Sequence, residues 1–222
     1  MAEAGTVFII DNDDSLRESL QWMLEGGGLK CQSFHQAEAF LAAYTPEAEG
    51  CLLLDVRLPG MSGVVLQEEL QRVGIRLPVI VMTGYADVNT AVTMLKRGAF
   101  DFFEKPFSDQ AVIERVRQAL EFDTQRRHSR QQRDALTRRL ACLTAREREV
   151  FDQVVHGKPN KVVAIEFGIS EKTVEVHRAR VMQKLGAGSL AELVRMDLLS
   201  TQPTDSLRMA RAATLPRIES SR

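Results

Sequence analysis

The fold class that the sequence predicts is a doubly wound α/β domain with a five-stranded parallel sheet, followed by a smaller all-helical domain. Three observations carry it. Short apolar runs alternate with amphipathic stretches of helical length through residue 122, the pattern of strands joined by crossover helices. From residue 143 onward the strand-like runs stop, and helical stretches are broken at Gly-containing turns. The charge also changes sign: residues 1–120 carry 10 Lys and Arg against 17 Asp and Glu, a net of −7, and residues 121–222 carry 19 against 13, a net of +6. An acidic half joined to a basic half suggests two tasks, with the basic half suited to a polyanion.

In chain order, the strands are VFII (7–10), the weaker run LKCQSF (29–34), CLLL (51–54), PVIVM (78–82) and DFF (101–103). None alternates cleanly, as expected of strands buried on both faces. The stretches Asp14–Glu25, Gln36–Ala43, Val64–Val73, Val88–Arg97 and Asp109–Phe122 supply the intervening helices. Trp22 is expected to be partly buried on the first of them. Met82 and Met94 read as core fillers, and Cys51 as a small buried apolar residue. Residues 123–142 are polar, rich in Arg and Gln and free of Pro and Gly, and are read as a solvated linker helix. A dimeric coiled coil would have only Ala135, Leu136 and Leu140 as its seam. Helical stretches then run through 143–199, and residues 200–222 read as a flexible tail.

Composition narrows the class of protein. With 222 residues, 44% hydrophobic and 27% charged, the chain suits two small soluble domains. No apolar run approaches the roughly 18 residues of a membrane span, so no membrane partner is expected. The opening MAEAGTVFIIDND is acidic, so no secretory signal is expected either. The three cysteines, Cys31, Cys51 and Cys142, are far apart, which argues against a disulfide framework or a structural zinc and for a reducing cytoplasm.

In a parallel sheet, ligands sit beyond the carboxyl ends of the strands. Four such ends are polar here: Asp11, Asn12 and Asp13 after the first run, Asp55 after CLLL, Thr83 after PVIVM, and Lys105 after DFF. Brought together, they make an acidic pocket for a hard divalent cation, flanked by a hydroxyl and an ammonium. Mg²⁺ is the expected cofactor and a phosphoryl group the natural substrate. A calcium loop starting at Asp11 is excluded, because Leu16 and Trp22 stand where the sixth-position Gly and twelfth-position Glu belong.

The segments Asp55 with VRLPGMSG (56–63), Thr83-Gly84-Tyr85 and Lys105-Pro106-Phe107 resemble the receiver domain of two-component response regulators, a flavodoxin-like fold, from about Thr6 to Phe122. That resemblance implies that Asp55 accepts phosphate from a histidine kinase. It implies further that Thr83, Phe102 and Lys105 form the switch and phosphate-binding set, that Asp11, Asn12, Asp55 and the backbone carbonyl of Arg57 hold Mg²⁺, and that the Lys105–Pro106 bond is cis. One position departs from the family pattern. Asn12 stands where a second acidic residue is usual, which removes one negative charge and implies weaker Mg²⁺ binding. The resemblance also places a switch surface on the helix 88–97 and the strand 101–103. There Lys96, Arg97, Asp101 and Glu104 would pair across a two-fold axis in a homodimer formed on phosphorylation.

In the basic half, Ser170 is a good N-cap for Ile169–Leu185, and Val174, Val181 and Leu185 mark its buried face. Lys172, Glu175, Val176, Ala179 and Gln183 project from the other side. Lys161–Phe167 and the turn Gly168-Ile169-Ser170 precede it, completing a helix-turn-helix. The segments LTAREREV (143–150), GKPNK (157–161), SEKTVEVHR (170–178) and KLG (184–186) resemble the LuxR-type DNA-binding domain, and the whole resembles a FixJ/NarL-like response regulator. The implied DNA-binding residues are Lys161, Lys172, Thr173, Glu175, Val176, His177, Arg178, Ala179 and Lys184. Glu147 is expected to pack near the recognition helix, and Leu190–Leu199 to pair two subunits.

The expected domains are therefore a receiver at 1–122, a linker helix at 123–142, a helix-turn-helix domain at 143–199 and a tail at 200–222. The expected function is regulation of transcription by phosphorylation of Asp55 and sequence-specific DNA binding, with no enzymology beyond gain and loss of that phosphate. DNA, a histidine kinase and a second copy are the expected partners, with RNA polymerase a further candidate. Two other readings stay open at this stage: a phosphorylation-independent DNA binder with a degenerate receiver, and a haloacid-dehalogenase-like phosphatase with Asp11 as nucleophile and Asp13 as acid/base.

Overall fold

A computed structural model describes residues 5–84 and 87–201, and the expected tail from 202 onward lies outside them. The described chain divides into two compact units, one ending at Arg127 and the other starting at His128. No helix among the described residues is long and apolar enough to cross a membrane.

The first unit is a parallel sheet of β1 (Thr6–Ile10), β2 (Lys30–Phe34), β3 (Gly50–Asp55), β4 (Val79–Thr83) and β5 (Asp101–Glu104), in the order β2-β1-β3-β4-β5. The helices α1 (Asp14–Gly26), α2 (Ala37–Ala43), α3 (Gly63–Arg72), α4 (Val88–Lys96) and α5 (Asp109–Ala141) connect and cover it. The continuous apolar runs are explained by two cores. Phe8, Ile10, Leu52, Leu54, Val79 and Val81 face one side with Phe40 and Leu66. Val7, Ile9, Cys51, Leu53, Ile80 and Met82 face the other with Leu20, Leu24 and Val116. Successive residues therefore all meet apolar partners, and no polar alternation is possible. Met82, Met94 and Cys51 are fully buried.

Trp22 is a correction. It is 81% exposed, not partly buried. The buried stripe of α1 runs through Leu20 and Leu24, flanked by half-buried Leu16 and Met23. Trp22, about 200° around the helix from Leu20, falls on the outer face.

The linker is a second correction. Residues 109–141 form one unbroken helix, because nothing between Phe122 and Cys142 breaks it. Nor is its expected linker portion simply solvated. Asp123 is 1% exposed; its Oδ2 accepts from the Gly50 amide at 3.1 Å and from Arg127 Nε at 2.7 Å. Arg126 reaches the Arg76 carbonyl, and Arg127 the Ala48 carbonyl. Polar residues in this stretch are thus fixed to the start of β3 and to the segment between α3 and β4. Further along, Leu136 and Leu140 are buried in the core of the second unit.

That second unit packs α6 (Ala145–Val155), α7 (Asn160–Phe167), α8 (Glu171–Leu185) and α9 (Leu190–Thr201) around Val150, Phe151, Val154, Val163, Val174, Val181, Leu185 and Leu193. Between α7 and α8 the chain turns at Gly168, whose φ of 66° is left-handed and suits glycine, and Ser170 then caps α8 by accepting from the Thr173 amide. Residues 200 and 201, assigned to the tail by sequence, end α9.

Removing the buried carboxylate tests the extension of the first unit. Asp123→Ala leaves the Gly50 amide without its acceptor and the Arg127 guanidinium with only the Ala48 carbonyl, at a cost of about 2 kcal/mol. Urea unfolding of the full chain followed by circular dichroism should show an earlier transition, and Asp123→Asn should lose less.

Candidate functional site

Because the strands are parallel, their carboxyl ends share one edge. Register sets Ile10 opposite Leu54, Asp55 opposite Met82, and Thr83 opposite Glu104. Asp11 and Asp55 flank the point where chain order reverses between β1 and β3, the usual crevice of such sheets.

Lys105 closes the site. Its Nζ donates to Asp11 Oδ2 at 2.7 Å and to Asp55 Oδ1 at 2.6 Å. Asp11 is fully buried, and its Oδ1 accepts from the Asp13 amide at 2.9 Å. Asp55 is 6% exposed, and its Oδ2 accepts from the Arg57 amide at 2.6 Å. Burial raises the Asp55 carboxyl above its ordinary range and the Asp11 charge adds to that, against the Lys105 hydrogen bond and charge and the Arg57 amide. Burial alone would lower the Lys105 ammonium, but its bonds to Asp11 and Asp55 outweigh this and leave it raised. Thr83 is fully buried with its Oγ1 on the Gly84 carbonyl at 3.2 Å, and Phe102 is half-buried. The Lys105–Pro106 bond is cis. Asn12 is exposed, and Asp13 caps α1 by accepting from the Leu16 amide at 3.1 Å. Among the described residues no group of three or more His, Cys, Asp or Glu suits a metal, so this edge offers two carboxylates plus neutral oxygens. The loop after Asp55 is tight: a Cβ at Gly63 would lie 2.4 Å from the Asp55 carbonyl oxygen.

Helix α4 is tied at both ends, in part by Gln67, Glu68, Gln71 and Asp87, for which the sequence carries no signal. At its start, Asp87 receives Arg57 Nε at 2.5 Å on Oδ2 and Arg57 Nη2 at 3.2 Å on Oδ1. At its end, Gln67 Nε2 donates to the Met94 carbonyl at 3.0 Å, Gln71 Nε2 to the Arg97 carbonyl at 2.6 Å, and Arg97 pairs with Glu68. On the surface expected to pair across a two-fold axis, two of the charges are already engaged within the chain. Arg97 is held by Glu68 and Asp101 by Arg115, 2.5 Å away, which leaves Lys96 and Glu104 as its exposed charges without an ion-pair partner among the described residues.

On α8 the buried side is Val174, Val181 and Leu185, while Lys172, Thr173, Glu175, Val176 and Ala179 are exposed. Lys161, on α7, is also exposed. Arg178 is half-buried and donates to Asn160 Oδ1 at 2.9 Å, so α7 orients it. The half-buried His177 has its Nδ1 buried without a hydrogen-bond partner among the described residues.

Lys184 is a correction. Its Nζ lies 2.6 Å from Glu147 Oε2 and 3.1 Å from the Cys142 carbonyl, so it anchors α8 and is not a free phosphate contact. Glu147 is 3% exposed and completes a capping box with Thr144, which the spacing Thr144-x-x-Glu147 already signalled. The ammonium and the Thr144 amide hold the Glu147 carboxyl down at about 2. Arg146 lies over the Phe167 ring, 4.1 Å from its centroid, and donates to the Phe167 carbonyl, fastening α6 to α7.

Comparison with known proteins covers both units. Residues 7–117 match the response regulator receiver domain, and residues 141–197 match the bacterial regulatory proteins of the luxR family. The chain is 47% identical over 200 residues to the transcriptional regulatory protein FixJ of Azorhizobium caulinodans, covering 90% of this chain and 95% of that one. It is 38% identical over 191 residues to the transcriptional regulatory protein TdiR of Thauera aromatica, covering 86% and 84%. Among solved structures, the response regulator StyR matches with a TM-score of 0.78 at 41% identity, over 87% of this chain and 98% of that one. These likenesses support a regulator and lend nothing to the phosphatase reading.

The Glu147 carboxyl gives a pH test. Its folded value lies below the ordinary 4.5, so the stabilisation is present above pH 4.5 and is lost as pH falls toward about 2. Urea midpoints of the second unit should therefore drop between those values, and Glu147→Gln should be less stable at pH 7 but flatter across the acid range.

Proposed function

This chain belongs to the response regulators that join a receiver domain to a LuxR-type DNA-binding domain, and from that membership we propose that Asp55 accepts a phosphoryl group from a histidine kinase and that α8 reads the major groove of DNA. A receiver coupled to a DNA-binding domain implies both partners and is not a classical enzyme. Its only chemistry is the gain of phosphate at Asp55 and its loss to water.

The observation that carries the receiver reading is the convergence of Asp11, Asp55, Thr83 and Lys105 from four strand ends. In the transfer, an Asp55 oxygen forms a bond to phosphorus while the phosphorus–nitrogen bond to the donor imidazole breaks, and the imidazole nitrogen leaves with the electron pair. Lys105, already on Asp55, neutralises charge on the transferring group, and the buried Thr83 hydroxyl offers a donor to it. Asp11, Asp55, the Asn12 side-chain carbonyl and the Arg57 backbone carbonyl form an all-oxygen donor set that fits Mg²⁺, which favours one or two carboxylates plus phosphate oxygens. The ion supplies neutralisation of the charge that develops on phosphoryl transfer. Asp13 is engaged as the α1 cap, so Asn12 leaves the set one charge short.

For DNA, the exposed Glu175, Val176 and Ala179 form the base-reading surface of α8, with Lys172 and Thr173 at its start. Lys161 and the Asn160-oriented Arg178 border it as phosphate contacts. Homodimerisation is supported by Leu190, Leu198 and Leu199 of α9, which are 39%, 57% and 39% exposed. Pairing two such domains gains DNA affinity by avidity without any new base contact.

Two measurements test this reading. Incubated with acetyl phosphate and Mg²⁺, the protein should form an acid-stable, alkali-labile phosphoprotein, and Asp55→Asn should abolish it while keeping the circular dichroism of the parent. Unchanged labelling would return the nucleophile to Asp11.

For DNA, Glu175→Ala in a binding-site selection should alter base preference by about 1–3 kcal/mol at particular positions. Lys161→Ala should weaken all sequences alike and reduce the salt slope by roughly one unit.

A further inference from the structure

The residue two places after Asp55 does more than lend a backbone carbonyl. Arg57 is bound to Asp55 through its own amide, at 2.6 Å, while its guanidinium is turned away onto Asp87 in a two-pronged pair. The Arg57 side chain is 70% exposed and the Asp87 side chain 18%, so the guanidinium lies largely in solvent while the amide of the same residue is on Asp55. Asp87 stands at the N-cap of α4, where an aspartate ordinarily accepts from its own helix's first amides, yet among the described residues it makes no capping bond. Both of its oxygens go to Arg57. The Asp55 charge also reaches Arg57 and adds to the forces that keep it protonated, after the larger effect of Asp87.

Phosphorylation changes the competition for this guanidinium. Asp87 offers one negative charge, whereas a phosphoryl group carries about two and presents three acceptor oxygens suited to the planar fork of arginine. We propose that the Arg57 guanidinium is a further phosphoryl-binding group, held in reserve on Asp87, and that a phosphoryl group on Asp55 takes it from Asp87. The inference rests on the Asp55 reading.

No charged group is stranded by the exchange. Arg57 moves from a carboxylate to a stronger anion, and the freed Asp87 carboxylate lies at the start of α4, where the helix amides and dipole accept it as a cap. The exchange alters the start of α4 while Gln67, Gln71 and Glu68 keep its end on α3. A change in occupancy at Asp55 is thereby converted into a change at one end of one helix.

The test is a double-mutant cycle on the full chain, read as the rate of Asp55 labelling by acetyl phosphate with Mg²⁺. Arg57→Ala should slow labelling about tenfold, since one charge-assisted contact to the incoming group is lost in a largely exposed position. Asp87→Asn should speed it about threefold by releasing Arg57 from an exposed ion pair. In the Arg57→Ala background, Asp87→Asn should have no effect, a non-additivity that a merely structural role for Asp87 would not produce. Arg57→Lys, which keeps the charge but not the fork, should fall between. In the parent protein, the Arg57 Nε–H resonance should shift on labelling, and in Asp87→Asn it should already have left its unlabelled position.

Labelling that depends on Asp55 but is indifferent to Arg57→Ala, or an Asp87→Asn effect that persists without Arg57, overturns the exchange and leaves the Asp55 reading standing. Labelling that survives in Asp55→Asn overturns that reading, and with it this one.

Discussion

Lys105 bridging Asp11 and Asp55 is the contact on which the receiver site depends. Two buried carboxylates at adjacent strand ends repel each other, and each loses hydration in the crevice. One ammonium within 2.7 Å of both makes the arrangement tenable. The parallel sheet is what allows this, because only parallel strands deliver residues 11, 55, 83 and 105 to one edge. The two cores on either face hold that sheet in place.

The second unit uses the same device for a different end. Glu147 is a buried carboxylate whose partners are the Thr144 amide and the Lys184 ammonium, so a helix start in α6 and the last turn of α8 are fixed by one group. Fixing α6 to the last turn of α8 matters because the core of this unit is small. Charge here serves placement, while Glu175, Val176 and Ala179 on the other side of α8 stay exposed.

Helix α4 is tied to the site at one end by Arg57 and to α3 at the other by Gln67, Gln71 and Glu68. Gln67 is itself buried with its Oε1 unpartnered among the described residues, an unusual cost for a side chain whose amide already holds the Met94 carbonyl. A helix fixed at unequal points can respond at one end without being released as a whole.

The sequence by itself determined the strand order in the chain, the four polar strand ends, the capped helix at Ser170 and the capping box at Thr144 and Glu147. Each of these is local: a run of apolar residues, a residue following it, or a spacing of three along a helix. Trp22 was also locally legible, since its angle around α1 opposes Leu20 and Leu24, but its bulk and apolar character argued the other way. What only the tertiary structure decided were the partners of charged side chains. Asp123 reads as one more polar residue of a linker until the start of β3 supplies Gly50 as its donor. Lys184 reads as a DNA contact until Glu147 takes it, and nothing local to Arg57 signals that Asp87, thirty residues later, receives its guanidinium. Long charged side chains reach several partners from one backbone position, and which one they take depends on what the fold buries nearby. That is a property of distances in space, which periodicity along the chain does not encode.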